Sequence, residues 1–523
     1  MVRALSKWFL WFCLATCVSP VPISHLWHRG HIDVAVDQLP SGNYEDEEAY
    51  HEDVFSQILK SNNGTVKKLW QGDIAIETGR SATKCPSCLW PKSADGTVRV
   101  PYRLSADYSD NEKSSIRDAL LEFNTLTCVH FVERSTEEDF LDIVSDSGCW
   151  SSIGRTGGAQ TLSLMSSGCL AKGIIQHEVD HALGFYHEQS RSDRDTYIDV
   201  LWQYICESDW GSFEMVDTDN LDLPYDYSSV MHYGWYAFSN TSGQPSLRPK
   251  PDPTANIGQR YGLSPLDVSK VKELYGCKLC TYLLTGVNGS LDSHNYMSEY
   301  PTETSCLWLI RVNKNKVLLQ FDTFRMSPSG GCTDNYIMVY DGPSRSSRVL
   351  VERACGSLEL PLLVASSGVL LVEFVHQKGL RASETEFRAS YSSVDCGGTY
   401  RNDNGTVTSP GYPNPYTNLV HCMTTIWAPP GYQIILNFTL FELEYSFSCS
   451  YDYLLIHDGS QPSSPEVGRF CSDMEIPTIV STGNVLLLQF YSDHWMNNLG
   501  YRADYHFGEG MNVALIILST PPI

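Results

Sequence analysis

Four cysteines, Cys280, Cys306, Cys332 and Cys355, recur as Cys396, Cys422, Cys449 and Cys471, displaced by 116, 116, 117 and 116 residues. Offsets that constant mean two copies of one domain, because unrelated segments would not keep register over four positions. Each copy reads C-x25-C and then C-x22-C or C-x21-C, with CTDNYIMVYDG in the first and CSYDYLLIHDG in the second. Spacing alone does not give the pairing. A chain of 523 residues also exceeds a single core, and three domains of ordinary size are expected. Seventeen cysteines, if most are paired, need an oxidising compartment. The N-terminus supplies the route: Arg3 and Lys7 precede the apolar run from Trp8 to Val18, which is too short to span a bilayer and reads as a signal peptide cleaved between Cys17 and Ser24. The C-terminal run VALIIL is shorter still, so no membrane span is expected. A formal charge of -24 argues against nucleic acid or an anionic membrane as a partner and fits a soluble acidic surface.

The chemistry is written in HEVDHALGFYHE, His177 to Glu188. Two histidines four apart on a helix lie about 40° from one line, so His177 and His181 can reach one metal ion with ring nitrogens. Gly184 stands where the helix should stop, because glycine takes the left-handed conformation of a helix C-terminus without strain, and the reversal swings His187 back as a third ligand. Three histidines suit one zinc ion and leave its fourth position to water. Glu178, beside the first ligand, is placed to take a proton from that water, which makes the motif one of metal-assisted hydrolysis. Asp180 stands about 80° to one side of the ligand face, either tuning the site or serving as a solvated or hydrogen-bonded helix residue.

With Gly184 and His187 in place the motif resembles the extended metzincin form H-E-x-x-H-x-x-G-x-x-H, and Glu188 with the run HEQSRSDRD resembles the astacin family. The resemblance implies an α+β metzincin protease over residues 81–279, after a signal peptide at 1–22 and a propeptide at 23–80. Ser229-Val230-Met231-His232-Tyr233 resembles the Met-turn, which puts Met231 beneath the ligands and makes Tyr233 a fifth zinc contact, free to donate a hydrogen bond to a tetrahedral intermediate. Trp70-Gln71-Gly72-Asp73 resembles the pro-segment motif F-x-G-D; by it Asp73 ligates zinc in the zymogen, while in isolation it reads as an Asp in a turn. Cleavage after Arg80 would make Ser81 the N-terminus, linked in the family to the residue that stands here as Glu188. Arg260 falls where the family often has a basic residue near the pocket for the residue after the cut bond. GRTGGAQTLSL, Gly154 to Leu164, resembles the edge strand that binds substrate, or is a plain hairpin. Periodicity adds strands at Val98–Leu104, Val129–Val132 and Phe140–Val144 and a helix at Asp110–Leu126.

The repeated domains, 280–392 and 393–507 ahead of a tail at 508–523, resemble CUB domains, which are all-β sandwiches that bind proteins. The fold class is therefore multidomain, an astacin-like protease followed by two CUB sandwiches. Family analogy pairs Cys280 with Cys306, Cys332 with Cys355, Cys396 with Cys422, Cys449 with Cys471, Cys128 with Cys277 and Cys149 with Cys169, and makes Cys85 and Cys88 a local pair. Cys206 is left as a free buried thiol or an intermolecular link. Many CUB domains hold calcium on three acidic side chains. Glu444, Asp452 and Asp493 fill those places in the second copy, whereas Ser327, Asn335 and Gln377 fill them in the first. The layout, with CPSCLWPKS after the activation site, is similar to that of amphibian hatching enzymes. It implies a secreted zinc endopeptidase, stored in secretory granules before release, with an egg-envelope glycoprotein as substrate. Two other readings stand beside it: a secreted astacin acting on other extracellular matrix, and a CUB-based binding protein with an inactive protease.

Overall fold

The computed structural model describes residues 53–76, 88–259, 261–293, 305–313, 315–326, 330–376 and 385–509. The expectations placed on the signal peptide, Arg80, Ser81, Cys85, Arg260, Ser327 and Gln377 lie outside them. The chain divides into two compact bodies, one made of residues up to 89 with 103–115 and 136–262, the other of 90–102, 116–135 and 263 onward.

In the first body, helix α1, Val54–Asn62, starts on Asp53, whose carboxylate accepts the backbone N–H of Ser56 at 2.9 Å. Its apolar positions Val54, Phe55 and Ile58 are buried. At its end Asn62 is clamped, its amide donating to the carbonyls of Gly72 (2.8 Å) and Cys149 (2.7 Å) while it accepts from the Cys149 N–H. Strand Phe140–Val144 pairs in parallel with Ala159–Leu164, whose end is covered on its other side by Cys149–Trp150 in antiparallel register, Cys149 opposite Leu164. This corrects the expectation for Gly154–Leu164. The segment folds back after Val144, and residues 149–151 take the outermost place. The edge is already in use, since Ile74 of the N-terminal segment bridges Ser151 in parallel, with Ala75 N–H donating to Ser151 O at 2.8 Å.

The second body includes Val98–Tyr102, the part of strand Val98–Leu104 that pairs in parallel with Val129–Glu133. Helix α2, Asp110–Leu126, buries Ile116, Ala119, Leu120 and Phe123, and the Phe123 ring meets Phe131 edge-on at 5.5 Å. These ranges match the periodicity. Two sandwiches follow, each a five-stranded sheet on a four-stranded one. In the first the five run Cys280–Leu284, Ser305–Arg311, Val369–Val375, Tyr336–Asp341, Arg348–Ala354; in the second they run Cys396–Tyr400, His421–Trp427, Val485–Tyr491, Tyr453–Asp458, Glu466–Phe470. Disulfides join Cys128–Cys277, Cys149–Cys169, Cys280–Cys306, Cys332–Cys355, Cys396–Cys422 and Cys449–Cys471. Cys88 and Cys206 are also disulfide-bonded, so Cys206 is not a free thiol.

Each sandwich is docked on what precedes it. Arg311, buried, sets its guanidinium 2.7 and 2.8 Å from the two oxygens of Glu122 on α2, itself fully buried, and donates to the Leu263 carbonyl. Thr281 donates to Leu126 O, and Thr125 to Pro343 O at 3.0 Å. The second sandwich grips the first through Leu362, Val364 and Met423, with Thr425 donating to Leu362 O and Val364 N–H to Thr399, both at 2.7 Å.

Candidate active site

The site forms where helix α3, Lys172–Leu183, ends. Gly184 caps the helix in the left-handed region at φ 116°, and its N–H closes back on Asp180 and His181 carbonyls. That reversal returns His187 to the helix face, so the Nε2 atoms of His177 and His187 lie 3.3 Å apart. All three histidines are fully buried. Each gives its other ring nitrogen to a carbonyl oxygen: His177 Nδ1 to Val230 O, His181 Nδ1 to Phe185 O and His187 Nδ1 to the side chain of Gln71, all at 2.8 Å. The Nδ1 atoms thus carry the protons, leaving three unprotonated Nε2 lone pairs aimed at one point, an arrangement that suits a divalent cation. Burial lowers the pKa of His181 and takes His187 down to about 3, so these rings are neutral and able to ligate.

Asp73 reaches into the same point. Its Oδ2 is 2.9 Å from His177 Nε2 and 3.2 Å from His187 Nε2, and its Oδ1 is 3.6 Å from His181 Nε2. Glu178 is fully buried, and neither of its carboxylate oxygens has a hydrogen-bond partner. Burial, with the charge of Asp73 added, raises its pKa well above the usual carboxylate range. A carboxylate left bare in a dry pocket next to three convergent imidazoles fits a site completed by a cation and water. Asp180 is buried, not solvated.

Tyr233, fully buried, donates from its hydroxyl to Gln71 O at 2.6 Å; burial raises its pKa well above normal, so it remains a donor. Met231 is buried nearby and its carbonyl accepts the Glu188 N–H at 2.9 Å. Glu188 in turn accepts from the Asp226 N–H at 2.8 Å and from Arg191 at 3.3 Å.

The turn carrying Asp73 has Gln71 at φ 54° and Gly72 at φ 96°. A side chain at Gly72 would meet Leu59 at 2.8 Å and Phe55 at 2.9 Å, so only glycine lets the turn sit this close to α1. Two residues of this segment were not singled out from the sequence. Gln71 supplies the partner of His187, and Phe55 stacks on Tyr233 with ring centres 3.7 Å apart. A signal for Phe55 existed in the i, i+4 spacing of Val54, Phe55, Ile58 and Leu59; none existed for Gln71.

A second acidic group lies at one end of the second CUB sandwich. Carboxylate oxygens of Glu444, Asp452 and Asp493 come within 4.8 Å of one another. Asp452, fully buried, accepts from Tyr416 at 2.5 Å and from the Asp493 N–H at 2.8 Å, while Glu444 Oε2 is buried without a partner. Burial and mutual repulsion raise the pKa of Glu444 and Asp452, as expected of an oxygen cage that fits a hard cation. In the first sandwich Asn335, also buried, occupies the place of Asp452.

No helix among the described residues is long and apolar enough to cross a membrane. The family model for the astacin peptidases matches residues 84–276, and the CUB domain model matches 280–391 and 396–505. Embryonic protein UVS.2 of Xenopus laevis is 44% identical over 90% of this chain and 91% of its own length. Astacin-like metalloendopeptidase of Gallus gallus is 47% identical over 65% of this chain and 83% of its own. Among solved structures, high choriolytic enzyme 1, a hatching-enzyme zinc protease of Oryzias latipes, is 48% identical, covering 38% of this chain and all of that one, at a TM-score of 0.37. The chain belongs to the astacin family of metalloendopeptidases, an α+β protease followed by two all-β CUB domains.

Proposed function

We propose that this chain is a secreted zinc endopeptidase, made as a zymogen, whose substrate is the protein of an egg envelope. The observation that carries the reading is the meeting of Asp73 with His177, His181 and His187 beside a bare, buried Glu178. His177, His181 and His187 would hold a zinc ion, which would supply Lewis-acid polarisation of the scissile carbonyl and a more acidic water. Glu178 removes the proton from the attacking water and passes it to the leaving amine. Tyr233 donates its hydroxyl hydrogen bond to the oxyanion of the tetrahedral intermediate once Gln71 no longer holds it. In the zymogen Asp73 occupies the place that water needs, and cleavage after Arg80 releases it. Arg260 adds a basic group near the pocket for the residue after the cut bond. The egg envelope as substrate is supported by the hatching-enzyme relatives and by the shared layout. The second CUB domain binds calcium on Glu444, Asp452 and Asp493, and the pair of CUB domains holds protein ligands.

The test is Glu178→Gln. The variant should fold and keep one zinc per chain while turnover falls roughly 10²–10⁴-fold. Zinc content and peptide hydrolysis are measured on one sample, with Asp73→Ala zymogen beside it. A zinc-loaded Glu178→Gln enzyme of normal turnover removes the mechanism, and an intact Asp73→Ala zymogen that stays silent removes the carboxylate block. Intact egg envelope assayed against other extracellular matrix decides the substrate.

A further inference from the structure

The block by Asp73 needs a carboxylate at the histidines; it does not need an aromatic ring beside Tyr233, yet α1 delivers one. Phe55 is fully buried. Its ring stacks on Tyr233 at 3.7 Å and 20°, meets His187 edge-on at 5.3 Å and lies tilted by 50° against Phe238 at 5.8 Å. Phe213 closes the back, 5.8 Å from Tyr233 and 5.9 Å from Phe238. Every wall named here belongs to the protease; the N-terminal segment contributes the occupant. Removing that segment leaves a slot lined by Tyr233 and Phe238, with Phe213 behind both, next to a zinc-ligand histidine and within reach of a side chain of the bound peptide. One flat ring at stacking distance and a second tilted beside it select a planar apolar side chain, since offset-stacked and edge-on ring contacts add to simple burial.

We propose that the slot formed by Phe213, Tyr233 and Phe238 is a substrate subsite for an aromatic side chain, Phe or Tyr, close to the cut bond, and that Phe55 occupies it in the zymogen as a stand-in for substrate. The proposal rests on the reading of the chain as a peptidase and names the specificity of that same site. Selection works through binding: a substrate lacking the ring leaves the slot to water and loses the stacking that orients the peptide.

The test has two arms, both on the full chain activated by loss of its pro-segment and loaded with zinc. In the first, a proteome-derived peptide mixture is digested and the cut sites sequenced. Phe and Tyr should be enriched at one position within two residues of the cut bond. A matched peptide pair with Phe or Ala there should differ on the order of 100-fold in kcat/KM, and Phe238→Ala should narrow that ratio. Cutting without aromatic enrichment at any position overturns the subsite and leaves the peptidase standing. In the second arm, a synthetic peptide of residues 53–76 is titrated against Glu178→Gln enzyme by calorimetry. The Phe55→Ala peptide, with Asp73 intact, should bind on the order of 100-fold more weakly. Equal affinity overturns the proposal. If nothing is hydrolysed at all, the peptidase reading fails, and this arm still decides whether the slot selects the ring.

Discussion

Arg311 and Trp427 stand 116 residues apart at the same place in the two CUB domains, each the last residue of the second strand in its five-stranded sheet. Each reaches back to the domain before it. Arg311 meets a buried carboxylate on α2, whereas Trp427 packs against the apolar core of the first CUB domain and carries the Arg401 guanidinium 4.3 Å over its ring. The neighbouring loops repeat the pattern, with Pro343 O accepting from Thr125 and Ser460 O from the Leu362 N–H. The same strand position makes the contact in both copies, with a different side chain in each. The interiors agree just as closely: both copies slip register at the same bulge, after Phe321 and after Phe438, and both hold the third cysteine at φ 48°. They part at the loops carrying Asn335 in one and Asp452 in the other. Beside Glu444 and Asp493 the second copy exposes Tyr445, Phe447, Trp495 and Met496, with Phe447 98% exposed. Among the described residues, the first copy sets Arg311 against α2, and the second carries exposed apolar side chains beside its acidic group.

The sharpest way to break this comparison is Arg311→Met. With Arg311 gone, Glu122 loses the guanidinium that meets both its oxygens, and the full chain should lose about 3–5 kcal/mol by chemical denaturation. Adding Glu122→Leu should recover most of it, because two apolar side chains replace a buried ion pair at little cost. A single variant as stable as the parent would show that the flanking backbone contacts hold the domain. Next in size is Asp452→Asn, which gives the second copy the amide of the first. Calcium at 100 times its dissociation constant should stabilise the parent by about 2.7 kcal/mol, seen as a calorimetric shift after chelator and calcium are exchanged. The variant should show no shift, and a persisting one would take the cation away from these carboxylates. Smallest is Trp427→Ala. Its ring is only partly buried, so the loss should be about 1–2 kcal/mol, confined to the second CUB transition; a loss as large as that of Arg311→Met would erase the contrast between the two docks.

What the sequence disclosed was local. The spacing of His177, His181, Gly184 and His187 sits within one helix and its reversal, so geometry follows from residue count. Asp110–Leu126 and Phe140–Val144 carry their own periodicity. What stayed hidden was every contact whose partner is far along the chain. Arg311 and Glu122 are 189 residues apart, His187 and Gln71 are 116 apart, and neither has a periodic neighbour to announce it. The outer strand was misassigned for a related reason, because residues 149–151 reach the edge by folding back, and the alternation in Ala159–Leu164 looks the same with or without that cover. Trp70-Gln71-Gly72-Asp73 was readable only through resemblance, since an Asp after a Gly is ordinary turn chemistry.

The Glu122–Arg311 pair also sets an order of events at the ribosome. Glu122 emerges 189 residues ahead of its partner, an interval of about 10–40 s at ordinary elongation rates. Throughout that interval α2 lacks the guanidinium that meets both oxygens of Glu122 in the finished chain. The contact between α2 and the first CUB domain therefore closes only after the first CUB strands have been made, although the catalytic residues were complete long before. A chain that ends before residue 311 lacks this contact and should be digested faster than the finished one, measured on ribosome-bound chains of the two lengths.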